Sequence, residues 1–146
     1  MKSHQLFFHQ YHKMYRPFIA KLNQELAKYE LYSSQWSVLL LIHREGALTL
    51  GEISEHQLVE RPTVTRTVQR LKRSGYVNAK PGEDKREKKI YLTELGENIC
   101  TDMQMSIEQF QKEALQGISE EEQLKTSRIL AKVYSNFVDT GGKQSE

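Results

Sequence analysis

Glu60-Arg-Pro-Thr-Val-Thr-Arg-Thr-Val-Gln-Arg-Leu-Lys-Arg-Ser-Gly75 has the pattern of one short helix with its own start and stop signals. Pro62 suits the first helical position, where its locked φ is already helical and its missing N–H would have had no partner. Val64, Val68 and Leu71 recur at i, i+4 and i+7 and so share a face, and Gly75 supplies the C-terminal stop. The opposite face carries Thr63, Arg66, Gln69, Arg70 and Arg73. It combines hydroxyls and an amide with long cations, where a merely solvated helix would carry a Glu/Lys mixture. Donors and acceptors of this kind read base-pair edges in a groove.

The formal net charge of +2 conceals an uneven distribution. Residues 61–89 hold ten Lys/Arg against three Asp/Glu, a balance of +7, whereas the remainder holds eleven against sixteen, a balance of −5. Positive charge concentrated on an acidic scaffold is the footprint of a polyanion-binding face. With 146 residues, 38% of them hydrophobic, the chain can build one core, and an elongated helical chain can bury further surface in a dimer. The longest apolar run, Val38 to Ile42, is too short to span a bilayer, and the N-terminus lacks the apolar segment of a signal peptide. No membrane partner and a cytoplasmic location are therefore expected. A single cysteine, Cys100, excludes an intrachain disulfide and fits a reducing compartment.

Upstream of the basic helix, Phe7, Tyr11, Met14, Tyr15, Phe18, Leu22 and Leu26 form a helical stripe over about residues 4–28. Pro17 removes a donor and clashes with the carbonyl four residues back, which predicts a kink or break near residues 13–16. So many aromatics on one helix predict packing against a second subunit. A second helix, capped by Ser33 or Ser34, runs through Trp36 and Val38–Ile42 to Gly46; being apolar almost all round, it should be central. Thr49-Leu-Gly-Glu52 has capping-box spacing and opens a short helix to about His56, with Gln57 to Arg61 as the turn. A helix, a short turn and a Pro-started helix with a basic face make a helix-turn-helix, whose second helix enters the major groove.

Downstream, Tyr76–Lys80 and Glu87–Leu92 read as the strands of a hairpin whose turn spans Pro81 to Arg86. A β-ribbon directly after a recognition helix is a wing, and its tip cations can track phosphates or enter the minor groove. Asp84, two residues before Arg86, is near enough to hold that guanidinium in an ion pair. Thr93 caps a long helix carrying Leu95, Ile99, Met103, Ile107, Phe110 and Ala114, and Gly117 ends it. Ser119-Glu-Glu-Glu122 is a second capping box, opening a last helix with Leu124, Leu130, Val133, Tyr134 and Phe137. Residues 140–146 read as a frayed tail.

This order of elements resembles the MarR family of bacterial transcriptional regulators over nearly the whole chain. Pro62-Thr-Val-Thr-Arg66 with Leu71 and Gly75 resembles the family's recognition helix, and Asp84-Lys-Arg86 with Ile90-Tyr-Leu-Thr-Glu-Leu-Gly96 resembles its wing signature. The resemblance implies a mainly α fold with a small β-hairpin wing. It also implies a homodimer joined by the first, fifth and sixth helices, with two winged lobes on one palindromic double-stranded DNA operator. Within a single 1–146 domain, residues 1–32 and 117–146 would be dimerisation helices, 33–96 the winged helix-turn-helix lobe and 94–116 a connecting helix. Arg86 would be the wing arginine of the minor groove and Asp84 its orienting partner. The wing is about one residue shorter than the family pattern, and Ala79 stands near where an arginine is common. The first helix lacks the cysteine of peroxide-sensing members, and Cys100 is expected to be structural.

The expected DNA-binding residues are Arg61, Thr63, Thr65, Arg66, Gln69, Arg70 and Arg73 of the recognition helix (61–74) and Asp84, Lys85, Arg86 and Lys88 of the wing (76–92). Lys72 and Lys89 would add phosphate contacts or general potential. The family implies a small, often aromatic or phenolic, effector between the winged lobe and the dimerisation helices. Tyr11, Met14, Tyr15, Trp36 and His43 are the candidate lining residues, although a stripe of this kind also makes a core or a dimer interface. His4, His9 and His12 lack a cysteine or carboxylate third ligand, so no metal is expected. No nucleophile elbow, phosphate loop or Cys/His arrangement is present, so neither catalysis nor a cofactor is expected. The function expected is that of a DNA-binding regulator, most simply a ligand-released repressor. The alternative is a winged-helix interaction module offering the same basic surface to an acidic protein.

Overall fold

A computed structural model of the chain describes residues 1–84 and 86–144, with the backbone alone for 140–144. Residues 1–109 form one compact unit and the chain from Phe110 onward another. Among the described residues the order is α1 (Ser3–Leu26), a 3₁₀ turn (Ala27–Tyr29), α2 (Ser33–Glu45), β1 (Leu48–Thr49), α3 (Leu50–Gln57), α4 (Arg61–Arg73), β2 (Val77–Pro81), β3 (Lys88–Leu92), α5 (Glu94–Ala114) and α6 (Glu120–Gln144). The fold is mainly α with a small antiparallel sheet, as expected.

α1 does not break at Pro17. The ring's fixed φ is itself helical and only one backbone bond is forfeited, at a point where residues 11–17 are all exposed to water. α2 is central: Trp36, Val38, Leu39 and Ile42 are buried with Leu22 and Leu26 of α1, Ile53 of α3 and Val64, Val68 and Leu71 of α4. Each fully buried aliphatic of this set contributes roughly 1.5–3 kcal/mol of transfer free energy. The cap of α2 differs from the Ser33/Ser34 expectation. Tyr32 is the N-cap residue, the Gln35 side chain reaches back to accept its N–H at 3.0 Å, and Asn23 of α1 accepts the Ser33 N–H at 2.9 Å. A side chain from another helix thus satisfies one of the four N-terminal donors that lack an intrahelical partner.

The Thr49 box forms as its spacing requires. Glu52 N–H donates to Thr49 Oγ1 at 3.1 Å and Thr49 N–H to Glu52 Oε1 at 3.2 Å, and this hydrogen bonding to Thr49 holds the Glu52 carboxyl below its ordinary range. Thr49→Ala is expected to cost about 1 kcal/mol. A urea midpoint equal to the parent's would show that the box contributes nothing. The turn is tighter than Gln57–Arg61, because Leu58 takes a left-handed conformation (φ 55°) and Glu60 already caps α4. α4 therefore starts at Arg61, with Pro62 one position inside.

α4 stops through Gly75 (φ 81°): Gly75 N–H donates to Lys72 O at 3.0 Å and Tyr76 N–H to Leu71 O at 3.0 Å. These are the paired bonds of a glycine-terminated Schellman end. The chain then enters β2, which pairs with β3 from Val77↔Leu92 to Pro81↔Lys88. β3 also pairs on its other side with β1, Leu48↔Ile90 and Thr49↔Lys89, so the expected two-stranded wing has a third strand. At the wing's base Thr93 N–H donates to Tyr76 O (3.1 Å), the Thr93 hydroxyl to Gly75 O, and the Tyr76 hydroxyl to Tyr29 O (2.9 Å). Burial, and then the negative charge of Glu30, push the Tyr76 phenol up, which keeps it a donor. Thr93 Oγ1 also accepts the Gly96 N–H at 3.2 Å, capping α5 as expected.

α6 opens on the second box, with Glu122 N–H donating to Ser119 Oγ and Ser119 N–H to Glu122 Oε1, both at 3.1 Å. It continues to Gln144, so the frayed tail expected from Thr140 is helical over residues 140–144. Extending an established helix adds a hydrogen bond per residue, which offsets the two glycines at 141 and 142. Ser145 and Glu146 lie outside the described residues.

Candidate DNA-binding face

α4 anchors one face and leaves the other in water. Val64, Val68 and Leu71 are buried, while Thr63, Arg66, Gln69, Arg70 and Arg73 are exposed and Thr65 is half-buried. Arg66 Nη2 donates to Thr63 Oγ1 at 3.3 Å. The hydroxyls of Thr65 and Thr67 donate to the carbonyls of Arg61 and Thr63, each at 3.0 Å. Such back-bonding occupies the hydroxyl protons and leaves the oxygens as acceptors. The helix therefore presents arginine donors beside threonine acceptors.

Among the described residues, α4 is flanked by two concavities. One, of about 430 Å³, lies between α4 and the wing and is lined by Arg61, Thr65, Gln69 and Lys72 from the helix and Arg86, Glu87 and Lys88 from the wing, with Val68, Ala79 and Ile90 among the apolar groups and Thr49 and Leu50 beside them. The structure thus gathers Arg61, Thr65, Gln69, Arg86 and Lys88 around one hollow. The other, of about 390 Å³, is uncharged and lies between α2 and α4, lined by Ser34, Ser37, Gln57 and Thr67 with Thr63 and three valines. Arg66, Arg70 and Arg73 border neither hollow. The side chain of Arg61 does not point simply outward: it lies over the start of α3, where a Cβ on Gly51 would stand 3.7 Å from its Nη2.

At the wing tip the expected Asp84–Arg86 ion pair does not form among the described residues. Asp84 Oδ1 accepts the Arg86 backbone N–H at 3.1 Å. A short acidic side chain two residues upstream folds naturally onto the main chain in this way, whereas reaching the guanidinium would require both side chains to lie along the ribbon. Lys85 lies outside the described residues. One interaction that sequence reading missed is the Lys80 ammonium 5.5 Å from the centre of the Tyr91 ring. Strand alternation was the available signal, since with Ala79 opposite Ile90 the two side chains are diagonal neighbours across the ribbon.

The other candidates are dispersed. Trp36 is 4% exposed and belongs to the core. His43 Nδ1 lies 2.9 Å from Glu97 Oε2, bridging α2 and α5. Tyr11, Met14 and Tyr15 are exposed on α1, where the Tyr11 and Tyr15 rings stack at 6.0 Å. None of these five lines either hollow. Cys100 is fully buried with its thiol 3.9 Å from the Leu39 carbonyl; burial first, and then the charge of Glu97, push that thiol up to about 11, far from a reactive thiolate. Among the described residues no group of three or more His, Cys, Asp or Glu is placed to hold a metal ion, and no helix is long and apolar enough to cross a membrane.

Residues 31–87 match the model of the MarR family. An HTH-type transcriptional regulator of Bacillus subtilis, YwoH, is 40% identical over 114 residues, 78% of this chain and 83% of the relative. The chain belongs to the MarR family. It is a helix-turn-helix DNA-binding transcriptional regulator, and α3 with α4 is its helix-turn-helix. A second relative is the HTH-type transcriptional repressor IacR of Pseudomonas putida, 32% identical over 114 residues, 77% of this chain and 68% of that protein. Among solved structures, Staphylococcus aureus MarR in complex with salicylate and kanamycin superposes with a TM-score of 0.84 at 26% identity, covering 92% of each chain.

Proposed function

We propose that this regulator is a repressor that binds a palindromic operator as a homodimer and leaves it when a small aromatic or phenolic ligand binds. The observation that carries the DNA part is the convergence of helix and wing cations: Arg61 and Lys72 of α4 face Arg86 and Lys88 of the wing across one hollow, while Arg66, Arg70 and Arg73 extend the same positive helix. In this reading α4 lies in the major groove, its arginines meeting guanines or phosphates and its threonine oxygens accepting from base amines, and Arg86 enters the minor groove. Exposed apolar side chains support the dimer. Phe7, Tyr11 and Met14 on α1, and Leu124, Leu130 and Tyr134 on α6, are surfaces that a monomer would leave in water. Residues 1–32 and 117–146 are accordingly assigned to dimerisation, and no catalytic role is assigned to any residue. Repression is supported by the name of the P. putida relative, and ligand release by the salicylate in the S. aureus structure.

The test is selection of operator duplexes from random sequence, followed by Arg66→Ala and Arg86→Ala. Each truncation is expected to weaken binding of the selected duplex by roughly 1–3 kcal/mol, about five- to 150-fold. Parent-like binding by both variants would remove those two residues from the interface. Failure to enrich any sequence would favour the acidic-protein partner.

A further inference from the structure

We propose that the Tyr76 hydroxyl tethers the recognition helix and wing to the end of α1, and that this tether fixes the half-site spacing the dimer accepts. The proposal rests on the reading in which α1 helps to join two lobes on a palindromic operator.

Tyr76 stands where α4 has ended and the wing begins. Its N–H donates to Leu71 O at 3.0 Å, closing the end of α4, and its carbonyl accepts the Thr93 N–H at 3.1 Å, where β3 gives way to α5. A Cβ added to Gly96 would stand 2.1 Å from that carbonyl oxygen, so α5 lies hard against the same peptide. The backbone of Tyr76 cannot shift without carrying α4 and the wing with it. Its side chain makes the connection to α1: the hydroxyl donates at 2.9 Å to the carbonyl of Tyr29, 47 residues upstream, in the 3₁₀ turn that follows the helix. Carbonyls at a helix end lack an intrahelical donor. The half-buried phenol, which burial keeps protonated, supplies one.

Elsewhere α1 packs on α2 through the buried Leu22 and Leu26. Apolar burial is non-directional, whereas a hydrogen bond weakens steeply as its angle closes below about 120°. The Asn23 bond to the Ser33 N–H fixes the start of α2, and the Tyr76 bond fixes the joint of α4 and the wing. Two directional bonds at separate points hold an orientation; one alone leaves a pivot. In a dimer, the second lobe gains a high effective concentration at its half-site only when the geometry lets both engage. One base pair more or less moves a half-site by about 3.4 Å and turns it by about 35° around the duplex. A held lobe rejects that change, and a pivoting lobe accommodates it.

Tyr76→Phe removes the hydroxyl and keeps the ring. Parent and variant are titrated with duplexes built from a selected operator: the palindrome, the palindrome with one base pair added at its centre, and a single half-site. The variant is expected to bind the palindrome about three- to tenfold more weakly and the half-site within about twofold of the parent. Its penalty for the added base pair should be smaller than the parent's by about threefold or more. Equal weakening on palindrome and half-site would mean that the hydroxyl serves the fold of the lobe itself, and the proposal fails. It fails equally if the variant keeps the parent's affinities and spacing penalty. Both results leave the dimer reading standing when the parent sediments as a dimer and prefers the palindrome to the half-site. A parent that sediments as a monomer, or holds both duplexes equally, overturns that reading and the proposal with it.

Discussion

Gly96→Ala is expected to lower the stability of the chain by roughly 3 kcal/mol or more, a fall in Tm on the order of 10 °C. Alanine normally improves a helix by about 1 kcal/mol over glycine, so intrinsic propensity predicts the opposite sign. The reason for the loss is the Tyr76 carbonyl, whose oxygen would lie 2.1 Å from an added Cβ. That oxygen cannot retreat cheaply, because it accepts the Thr93 N–H, and the Tyr76 side chain is itself tied by its hydroxyl to Tyr29. Relief must come from displacing α5 or opening the base of the wing. Thermal unfolding followed by circular dichroism checks this, and a Tm within about 2 °C of the parent's would show that the joint yields more easily than its bonding allows.

The second large effect is on salt. If two lobes together neutralise roughly 6 to 10 phosphates, the logarithm of the association constant should fall with the logarithm of salt at a slope of about −0.9 per contact, so affinity drops at least about a thousandfold between about 50 and 200 mM. The cations for this are in place and exposed: Arg66, Arg70, Lys72 and Arg73 on α4, Arg86 and Lys88 on the wing. Fluorescence anisotropy of a labelled duplex across that range measures the slope. A value near zero would mean that the basic face does not meet DNA phosphates.

What could be read from the residues alone was whatever depends on neighbours in the chain. Val64, Val68 and Leu71 declare the buried face of α4 by spacing, Thr49 and Glu52 declare a box, and Gly75 declares a stop, because each is a relation over a few positions. What could not be read depends on partners brought from afar. Asn23 caps α2 from ten residues away, Gly96 is required by a carbonyl twenty residues upstream, and Leu48–Thr49 is a strand only because β3 passes beside it. Two residues carry no alternation from which pairing could be inferred. At the candidate face the cation types were legible, but their grouping was not. That Arg61 turns back over α3, and that Asp84 spends its carboxylate on an amide, are matters of local rotamer and turn geometry that composition leaves open.

The two-residue strand β1 has a consequence for how such a protein can diversify. Thr49 both opens α3 and pairs with Lys89 in the middle ribbon strand, so the helix-turn-helix is tied to the ribbon in its outer half, one pair short of Pro81↔Lys88. Only the turn beyond Pro81↔Lys88 lies outside the three-stranded part. Insertions, deletions and charge changes at the tip can accumulate without disturbing the aim of α4, which makes the tip the part of the reader that descent can retune cheaply and the strand the part that it must leave alone.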